Sequence, residues 1–341
     1  MIYFTFFPDH KRKINVNGNA IFSEIILKKY FDVKKDILVN TTSINLFSTR
    51  IKKILNYFKV FYLVTCLKQK KIFTVMLDNY GFYPHLFFCY FASFFSKLII
   101  YHHSFVYINK KKPFFNLLSS KRITHICISK KQHSVLKLNY NLNNSILVEN
   151  FIFFLNKNFI KKKYNHKIKK IIFFSALVKE KGIYDYLNLA KKLKKTPGIN
   201  FYVYGNNCSK NILKEIKLAK KSKIIKDYKL NVYGKIKEKI LNESDILIFP
   251  SKHKSETTPL IIDECIDKLI VPICYDVGDI QNQINKLDLV AKDLNYLEHK
   301  IIQVYRNFDI YKNKIRKLKI LRMNNKIKYL KKLDSYFINV Q

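Results

Sequence analysis

The chain has no tryptophan, and only 7 of its 341 residues are glycine, against roughly 7% in average proteins. Lys, Asn, Ile, Phe and Tyr are abundant instead, a set that an AT-rich genome would encode. Acidic residues are also scarce, with 24 Asp and Glu against 64 Lys and Arg and a net charge of +40. The hydrophobic fraction of 48% nevertheless excludes a disordered chain and allows domains with real cores.

The excess of positive charge is spread along the chain rather than concentrated. Residues 1–150 hold 23 basic and 6 acidic residues, and no dense basic arm or RNP-like motif is present. This pattern disfavours specific nucleic-acid binding and favours a general attraction to anionic lipid headgroups or phosphorylated substrates. A basic nucleic-acid or anionic-membrane binding protein stays open as an alternative function.

Signals for secretion, membrane spanning and metal binding are also missing. The six cysteines form no CxxC pair and sit mostly in apolar patterns, which predicts reduced, buried thiols. The first residues lack the basic region and apolar length of a signal peptide. The apolar run over 86–95 is ten residues, half of what a bilayer span needs, so we interpret it as a buried helix. HExxH and Asp-x-Asp motifs are absent. A cytoplasmic protein that is soluble or peripheral, with no metal site, is therefore expected.

Short apolar runs alternate with helical patterns throughout the chain. In the first half the predicted strands are 36–39, 72–77, 97–102, 124–128 and 145–148, after a first strand at the N-terminus. A polar, basic stretch over 156–168 reads as a linker, and a second strand–helix series follows it. This alternation predicts an α/β protein with two Rossmann-like, doubly wound domains over 1–155 and 169–320. A C-terminal helix over 321–341 could cross back to the first domain, and ligands should bind in a cleft between the domains.

Two glutamates stand out in the stretch SETTPLIIDECIDKL, residues 255–269. Pro259 suits the first position of a helix that runs from about Leu260 to Lys268, with Thr258 as its cap. Glu256 then lies in the loop before the helix, and Glu264 lies more than one turn inside it. Free amides at a helix start favour phosphate, and carboxylates accept hydrogen bonds from sugar hydroxyls. The combination suits a nucleotide sugar, although the pair taken alone is explained more simply as one loop glutamate and one solvated helix glutamate.

The surrounding segments add a family resemblance. Residues 245–280 contain a strand ending in Pro-Ser, then Glu-x7-Glu, then a strand ending in an Asp-Val-Gly turn. This stretch resembles the signature of GT-B family 4 glycosyltransferases. Segments 171–193, 201–206 and 232–251 resemble the preceding elements of the same domain, in the same order. The resemblance continues loosely before residue 150 and implies the GT-B fold, in which the two domains face each other across a cleft.

The resemblance implies roles for particular residues. Glu256 matches the glutamate that contacts hydroxyls of the donor sugar, and Glu264 matches the one that holds the ribose hydroxyls. Lys181 matches the lysine that neutralises the donor diphosphate. His102 or His103 matches a histidine of the N-terminal domain that reaches the transferred sugar, and the sequence does not distinguish them.

The remaining candidates would bind the donor through their backbone groups or would shape the site with their side chains. The Ser175 amide could face phosphate, and Gly18 could let the first helix approach the diphosphate or acceptor closely. Thr257, Thr258 and Leu260 would shape the sugar site. The base would be bound by backbone around Gly205 and Ile236.

The function implied is that of a metal-independent, retaining hexosyltransferase (EC 2.4 type) that needs no cofactor. Its donor would be a nucleoside diphosphate hexose, with UDP favoured over GDP on family frequency alone. Its acceptor would be a glycan or lipid-linked glycan of surface polysaccharide or lipopolysaccharide biosynthesis, met at the cytoplasmic face of the plasma (inner) membrane. The basic, aromatic segments 6–14 and 107–115 could contact that anionic surface.

Several positions depart from the family pattern. Ala176 stands where an arginine is common, Thr257 and Thr258 replace glycines, and Leu269 replaces another glycine. The missing arginine favours, as a second alternative, a GT-B scaffold without catalytic activity.

Overall fold

A computed structural model describes residues 1–5, 18–32, 34–40, 46–66, 70–76, 82–105, 112–155, 169–206 and 208–338. Two compact units make up the chain. The first unit comprises Met1–Glu149 and Lys328–Gln341, and the second unit comprises Asn150–Ile327. The proposed linker over 156–168 lies outside the described residues.

The first unit contains a six-stranded sheet. Its strands are β1 (Ile2–Thr5), β2 (Ile37–Asn40), β3 (Lys71–Val75), β4 (Lys97–His102), β5 (Ile123–Cys127) and β6 (Ser145–Leu147). They lie in the order β2-β1-β3-β4-β5-β6, and every pair is parallel. Its helices are α1 (Gly18–Tyr30), α2 (Leu46–Thr65), α3 (Phe82–Ala92) and α4 (Lys130–Tyr140). The strands predicted from the apolar runs are confirmed to within one or two residues.

The second unit contains another six-stranded parallel sheet. Its strands are β7 (Lys169–Ala176), β8 (Ile199–Asn206), β9 (Asp227–Leu230), β10 (Ile246–Phe249), β11 (Val271–Tyr275) and β12 (Val290–Ala291). The order is β12-β11-β10-β7-β8-β9, so the chain reverses direction across the sheet between β7 and β10. Open parallel sheets bind ligands at the carboxyl ends of the strands beside such a switch point. The fold therefore indicates a ligand site among the residues that follow β7 and β10.

Helices connect these strands and cover the sheet. They are α5 (Ile183–Leu193), α6 (Lys210–Lys221), α7 (Gly234–Asn242), α8 (Leu260–Asp267), α9 (Ile280–Gln283), α10 (Leu294–Arg306) and α11 (Phe308–Phe337). All residues of β10 and β11 are buried, as expected for central strands with both faces covered. Several helices begin at side-chain caps: the Ser209 hydroxyl and the Asp293 carboxylate accept the amides of Ile212 and Tyr296 at 3.3 and 3.0 Å.

Helix α11 is long and continuous, so residue 320, where the second domain was expected to end, falls inside it. Its last turns belong to the first unit. There, Asp334 accepts hydrogen bonds from Lys29 at 2.7 Å and Tyr30 at 2.6 Å, and Phe337 stacks on the Tyr30 ring at 4.5 Å between centroids. Contacts to α1 thus hold the end of α11 within the first unit.

The interpretation of residues 86–95 as a buried helix is wrong for one side of the segment. Leu86, Cys89 and Ala92 are fully buried, but Phe91 and Phe94 are 54% and 56% exposed. Because almost every side chain in this segment is apolar, its sequence does not reveal which side faces water. The thiol prediction is confirmed for four cysteines, whereas Cys66 is exposed and Cys208 partly so.

Candidate active site

Two segments of the second unit meet at the switch point of its sheet. Lys181 lies in a short turn after β7, and Glu256 lies in the segment after β10. The Lys181 ammonium forms an ion pair with the Glu256 carboxylate, which also accepts a hydrogen bond from the Ser251 hydroxyl at 3.3 Å. The two charged side chains are 20% and 11% exposed. The sequence placed both residues in the site, and the structure brings them into direct contact.

Gly182 allows the Lys181 turn to lie against the end of β10. Its φ of +79° is in the left-handed region, and a Cβ atom there would lie 1.9 Å from the Pro250 carbonyl oxygen. A second link is the Lys252 amide, which donates to the Glu180 carbonyl at 2.8 Å. The Lys-Gly pair in the sequence therefore has a steric basis, because any side chain at 182 would push Lys181 away from Glu256.

Gly278 performs a comparable role on the other side of Glu256. Its φ is +63°, and a Cβ atom would lie 2.3 Å from the Glu256 carbonyl oxygen. The neighbouring Asp279 amide donates to the Thr257 carbonyl at 2.8 Å. The Val-Gly turn after β11 thus holds the main chain at Glu256 and Thr257 in place.

Helix α8 starts one residue later than the cap prediction requires. Pro259 itself occupies the N-cap position, with φ −58° and ψ 124°, so Thr258 is not the cap. The Thr258 hydroxyl instead accepts a hydrogen bond from the side-chain Nδ2 of Asn150 at 3.3 Å. Thr257 is buried, which limits the part of its side chain that could touch a ligand.

Glu264 faces a cavity and is paired with a lysine. Its carboxylate lies 2.6 Å from the ammonium of Lys237, which comes from α7. Both residues line a cavity of about 280 Å³, together with Gly234 and Lys268. The sequence analysis did not identify Lys237. The one feature of the sequence that could have marked it is its position one turn after Gly234, the first residue of α7.

Helix α8 is fixed to α11 by two buried ion pairs. The Arg322 guanidinium contacts the Asp263 carboxylate at 2.8 Å, and the Lys319 ammonium contacts that of Asp267 at 3.0 Å. Arg322 also donates to the Gln283 carbonyl. Burial raises the pKa of Asp263, and the neighbouring Arg322 charge acts in the opposite direction. These pairs hold the helix that carries Glu264, and the sequence did not predict them.

The remaining candidates of the second unit lie near these groups without a described polar contact to them. Ser175 and Ala176 end β7, where Ser175 pairs with Gly205 of β8. A Cβ atom at Gly205 would lie 1.9 Å from the Ser175 carbonyl oxygen, so glycine is needed for close strand packing there. Ile236 is 47% exposed on the first turn of α7, and Leu260 is partly exposed at the start of α8.

In the first unit the two candidate histidines differ in environment. His102 is fully buried, and its Nε2 shares a hydrogen bond with Nδ1 of His125 at 2.9 Å. Burial lowers the pKa of His102 well below its usual value and that of His125 to about 4, so both rings are neutral at pH 7. His103 is partly exposed, which leaves it as the histidine of the pair that could face a ligand. Gly18 is the first residue of α1.

Neither a metal centre nor a membrane-spanning helix is found among the described residues. Among them, no group of three or more His, Cys, Asp or Glu side chains is arranged to hold a metal ion. Within the same residues, each helix is too short or too polar to cross a bilayer.

Comparison with known proteins confirms the fold and matches part of the chain to a protein family. Residues 156–318 match the family described as glycosyl transferases group 1. No curated protein matches the sequence. Among solved structures, a glycosyltransferase from Rickettsia africae is 16% identical with a TM-score of 0.66, covering 96% of this chain and 89% of that one. HepE of Anabaena, solved with UDP, is 10% identical with a TM-score of 0.69, covering 98% and 99%.

A third similar structure is WaaG, described as a glycosyltransferase involved in lipopolysaccharide biosynthesis. It is 8% identical with a TM-score of 0.65, and each chain covers 100% of the other. At these identities the likeness concerns the fold, which is GT-B, an α/β fold of two Rossmann-like units. The family match covers the segment that contains Lys181, Glu256 and Glu264.

Proposed function

We propose that the chain is a retaining family 4 glycosyltransferase that moves a hexose from a nucleoside diphosphate sugar to a glycan or lipid-linked acceptor. The observation that carries this proposal is the Lys181–Glu256 pair at the switch point of the second sheet. Glu264 follows eight residues later on a helix that begins beside the same strand ends. One cation and two carboxylates thus occupy the place where doubly wound folds bind nucleotides.

Each of the three charged groups has a separate role in this proposal. Lys181 neutralises the diphosphate as it leaves, which stabilises charge that grows in the transition state. Glu256 accepts hydrogen bonds from sugar hydroxyls and orients the ring. Glu264 accepts hydrogen bonds from the ribose hydroxyls in the cavity lined by Gly234 and Lys237. Both glutamates position the donor and neither acts as a nucleophile or general base.

Lys237 could replace the positive charge of the arginine that is common at the position of Ala176. Its ammonium lies within 2.6 Å of the Glu264 carboxylate and 5.5 Å from the centroid of the Phe174 ring. Phe174 is two residues before Ala176 on β7, so this cation approaches the strand end from α7. We assign Lys237 to the phosphates, together with Lys181 and the amides at the start of α8, and expect transfer without a divalent metal.

The names of similar proteins support the finer part of the proposal, the identity of the substrates. HepE was solved with UDP, and WaaG is described as acting in lipopolysaccharide biosynthesis. These names support a UDP-hexose over a GDP-hexose and a role in surface polysaccharide or lipopolysaccharide synthesis. We accordingly place the protein in the cytoplasm, peripheral to the cytoplasmic face of the plasma (inner) membrane.

A thermal-stability screen against UDP-, GDP- and ADP-sugars tests the donor assignment. We expect a UDP-sugar to raise the melting temperature most, because ligand that binds only the folded state stabilises it. The same donor should be hydrolysed slowly in the presence of EDTA. Binding without hydrolysis or transfer would favour the inactive scaffold, and stabilisation by a CMP-linked sugar alone would contradict the Lys181 assignment.

A further inference from the structure

The first unit carries an exposed aromatic surface that the donor site does not use. We define the aromatic surface as Phe58 and Phe61 of α2 together with Phe91, Phe94 and Phe95 of α3 and the turn after it. Four of these five side chains are more than half exposed, and Phe58 reaches 69%. They border a groove of about 540 Å³ whose seven lining residues are all Phe or Tyr. Soluble proteins rarely expose so many adjacent large apolar side chains unless something covers them.

Helix α3 is apolar on both of its sides. Its inner side packs Phe82, Leu86 and Cys89 into the core of the first unit, and its outer side presents Phe87 and Phe91. The sequence from Phe82 to Ala92 contains no Asp, Glu, Lys or Arg. A helix that is apolar all round is buried in protein or in lipid. The outer side therefore needs an apolar partner.

The charges around the aromatic surface indicate what that partner is. Between residues 37 and 148 the sequence has one acidic residue, Asp78, against 16 Lys and Arg. Lys59 follows Phe58 on α2, and the Arg122 guanidinium donates to the Phe94 carbonyl at 2.6 Å. Lys59, Lys97 and Arg122 are all exposed. An apolar face bordered by cations complements a bilayer that contains anionic lipids, in which aromatic rings favour the headgroup region.

The same positive charges argue against a second copy of the chain as the partner of the aromatic surface. A symmetric dimer would place each face against its own counterpart, and therefore cation against cation. Acidic residues that could relieve this repulsion are missing from the sequence of α2 and α3.

We propose that the aromatic surface inserts into the headgroup region of anionic membranes and that Lys59, Lys97 and Arg122 hold it there. This inference rests on the proposed function, and it names the surface through which the protein contacts the membrane. It differs from segments 6–14 and 107–115, most of which lie outside the described residues. Because the aromatic surface is in the first unit, whereas Lys181, Glu256 and Glu264 are in the second, vesicle binding and donor binding can fail separately.

The absence of tryptophan permits a direct test. Phe91→Trp introduces the one tryptophan of the chain on the aromatic surface, and Leu138→Trp introduces it at an exposed position of α4 as the control. With vesicles of phosphatidylglycerol and phosphatidylcholine at low salt, we expect a blue shift and quenching by brominated lipids for Phe91→Trp alone. Equal behaviour of the two variants, or no change in either, would overturn the proposal.

Flotation of the whole chain supplies the energetic test. Phe58→Ser with Phe91→Ser should weaken binding to the same vesicles by about tenfold or more, because each phenylalanine that enters lipid contributes strongly to partitioning. Leu138→Ser should bind as wild type does, and stabilisation by UDP should be equal in all three proteins. Undiminished flotation of the double variant, or a concentration-dependent dimer without vesicle binding, would refute the assignment.

Discussion

Sugar transfer should fall by about 100- to 1,000-fold when Lys181 is replaced by alanine, with the fold intact. That range is typical for removing one group that stabilises developing negative charge in a transition state. Lys181 is the cation held directly against Glu256, and both residues occupy the switch point of the second sheet. Release of the nucleoside diphosphate from the donor, measured with a coupled assay, gives the rate.

Two neighbours in the same turn provide matched controls. Lys179→Ala removes an exposed lysine two residues away, and Glu180→Gln removes an exposed glutamate between them. Both should keep wild-type rates, whereas Glu256→Gln should lose activity as Lys181→Ala does. A Lys181→Ala enzyme that works at nearly the wild-type rate would show that the diphosphate lies elsewhere.

Stability should fall by about 3–5 kcal/mol when Arg322 is replaced by alanine, because Asp263 would be left buried without its partner. The Asp263 and Arg322 side chains are 2% and 5% exposed, and their ion pair measures 2.8 Å. The Gln283 carbonyl would also lose a donor. Urea unfolding of the purified chain, followed by circular dichroism, measures the change.

The control for Arg322 lies on the same helix. Arg316 is exposed, so Arg316→Ala should change stability by no more than about 0.5 kcal/mol. Replacing both partners, Asp263→Leu with Arg322→Met, should recover part of the loss because no unpaired charge remains. If Arg322→Ala cost as little as Arg316→Ala, α11 would not hold α8 through this pair.

The elements of the second unit could be predicted because its local signals agree. The apolar strand 246–249 is bounded by Ser, Asp and Pro residues. The glycines of the Lys-Gly and Val-Gly turns, Gly182 and Gly278, are required because a side chain there would clash with the neighbouring backbone. The loop glutamate and the helix glutamate follow from their distance to Pro259. Each of these signals is carried by a few neighbouring residues.

The contacts that surround Glu264 could not be predicted, because they join residues far apart in the chain. Arg322 meets Asp263 across 59 positions, and Lys237 meets Glu264 across 27. In a chain with 64 Lys and Arg, nothing local marks these cations. The sequence also could not show that His102 is buried and His103 is not. That difference depends on a contact between His102 and His125, which lies on the neighbouring strand.

The measurement that tests the central claim most directly is calorimetric titration of UDP into wild type, Glu264→Gln and the exposed control Glu243→Gln. The charged hydrogen bonds lost at Glu264 correspond to roughly 10- to 100-fold in affinity. We predict one UDP per chain for wild type, an affinity weaker by that factor for Glu264→Gln, and no change for Glu243→Gln. Equal affinities of wild type and Glu264→Gln, or no binding of UDP to wild type, would contradict the placement of the nucleotide at α8.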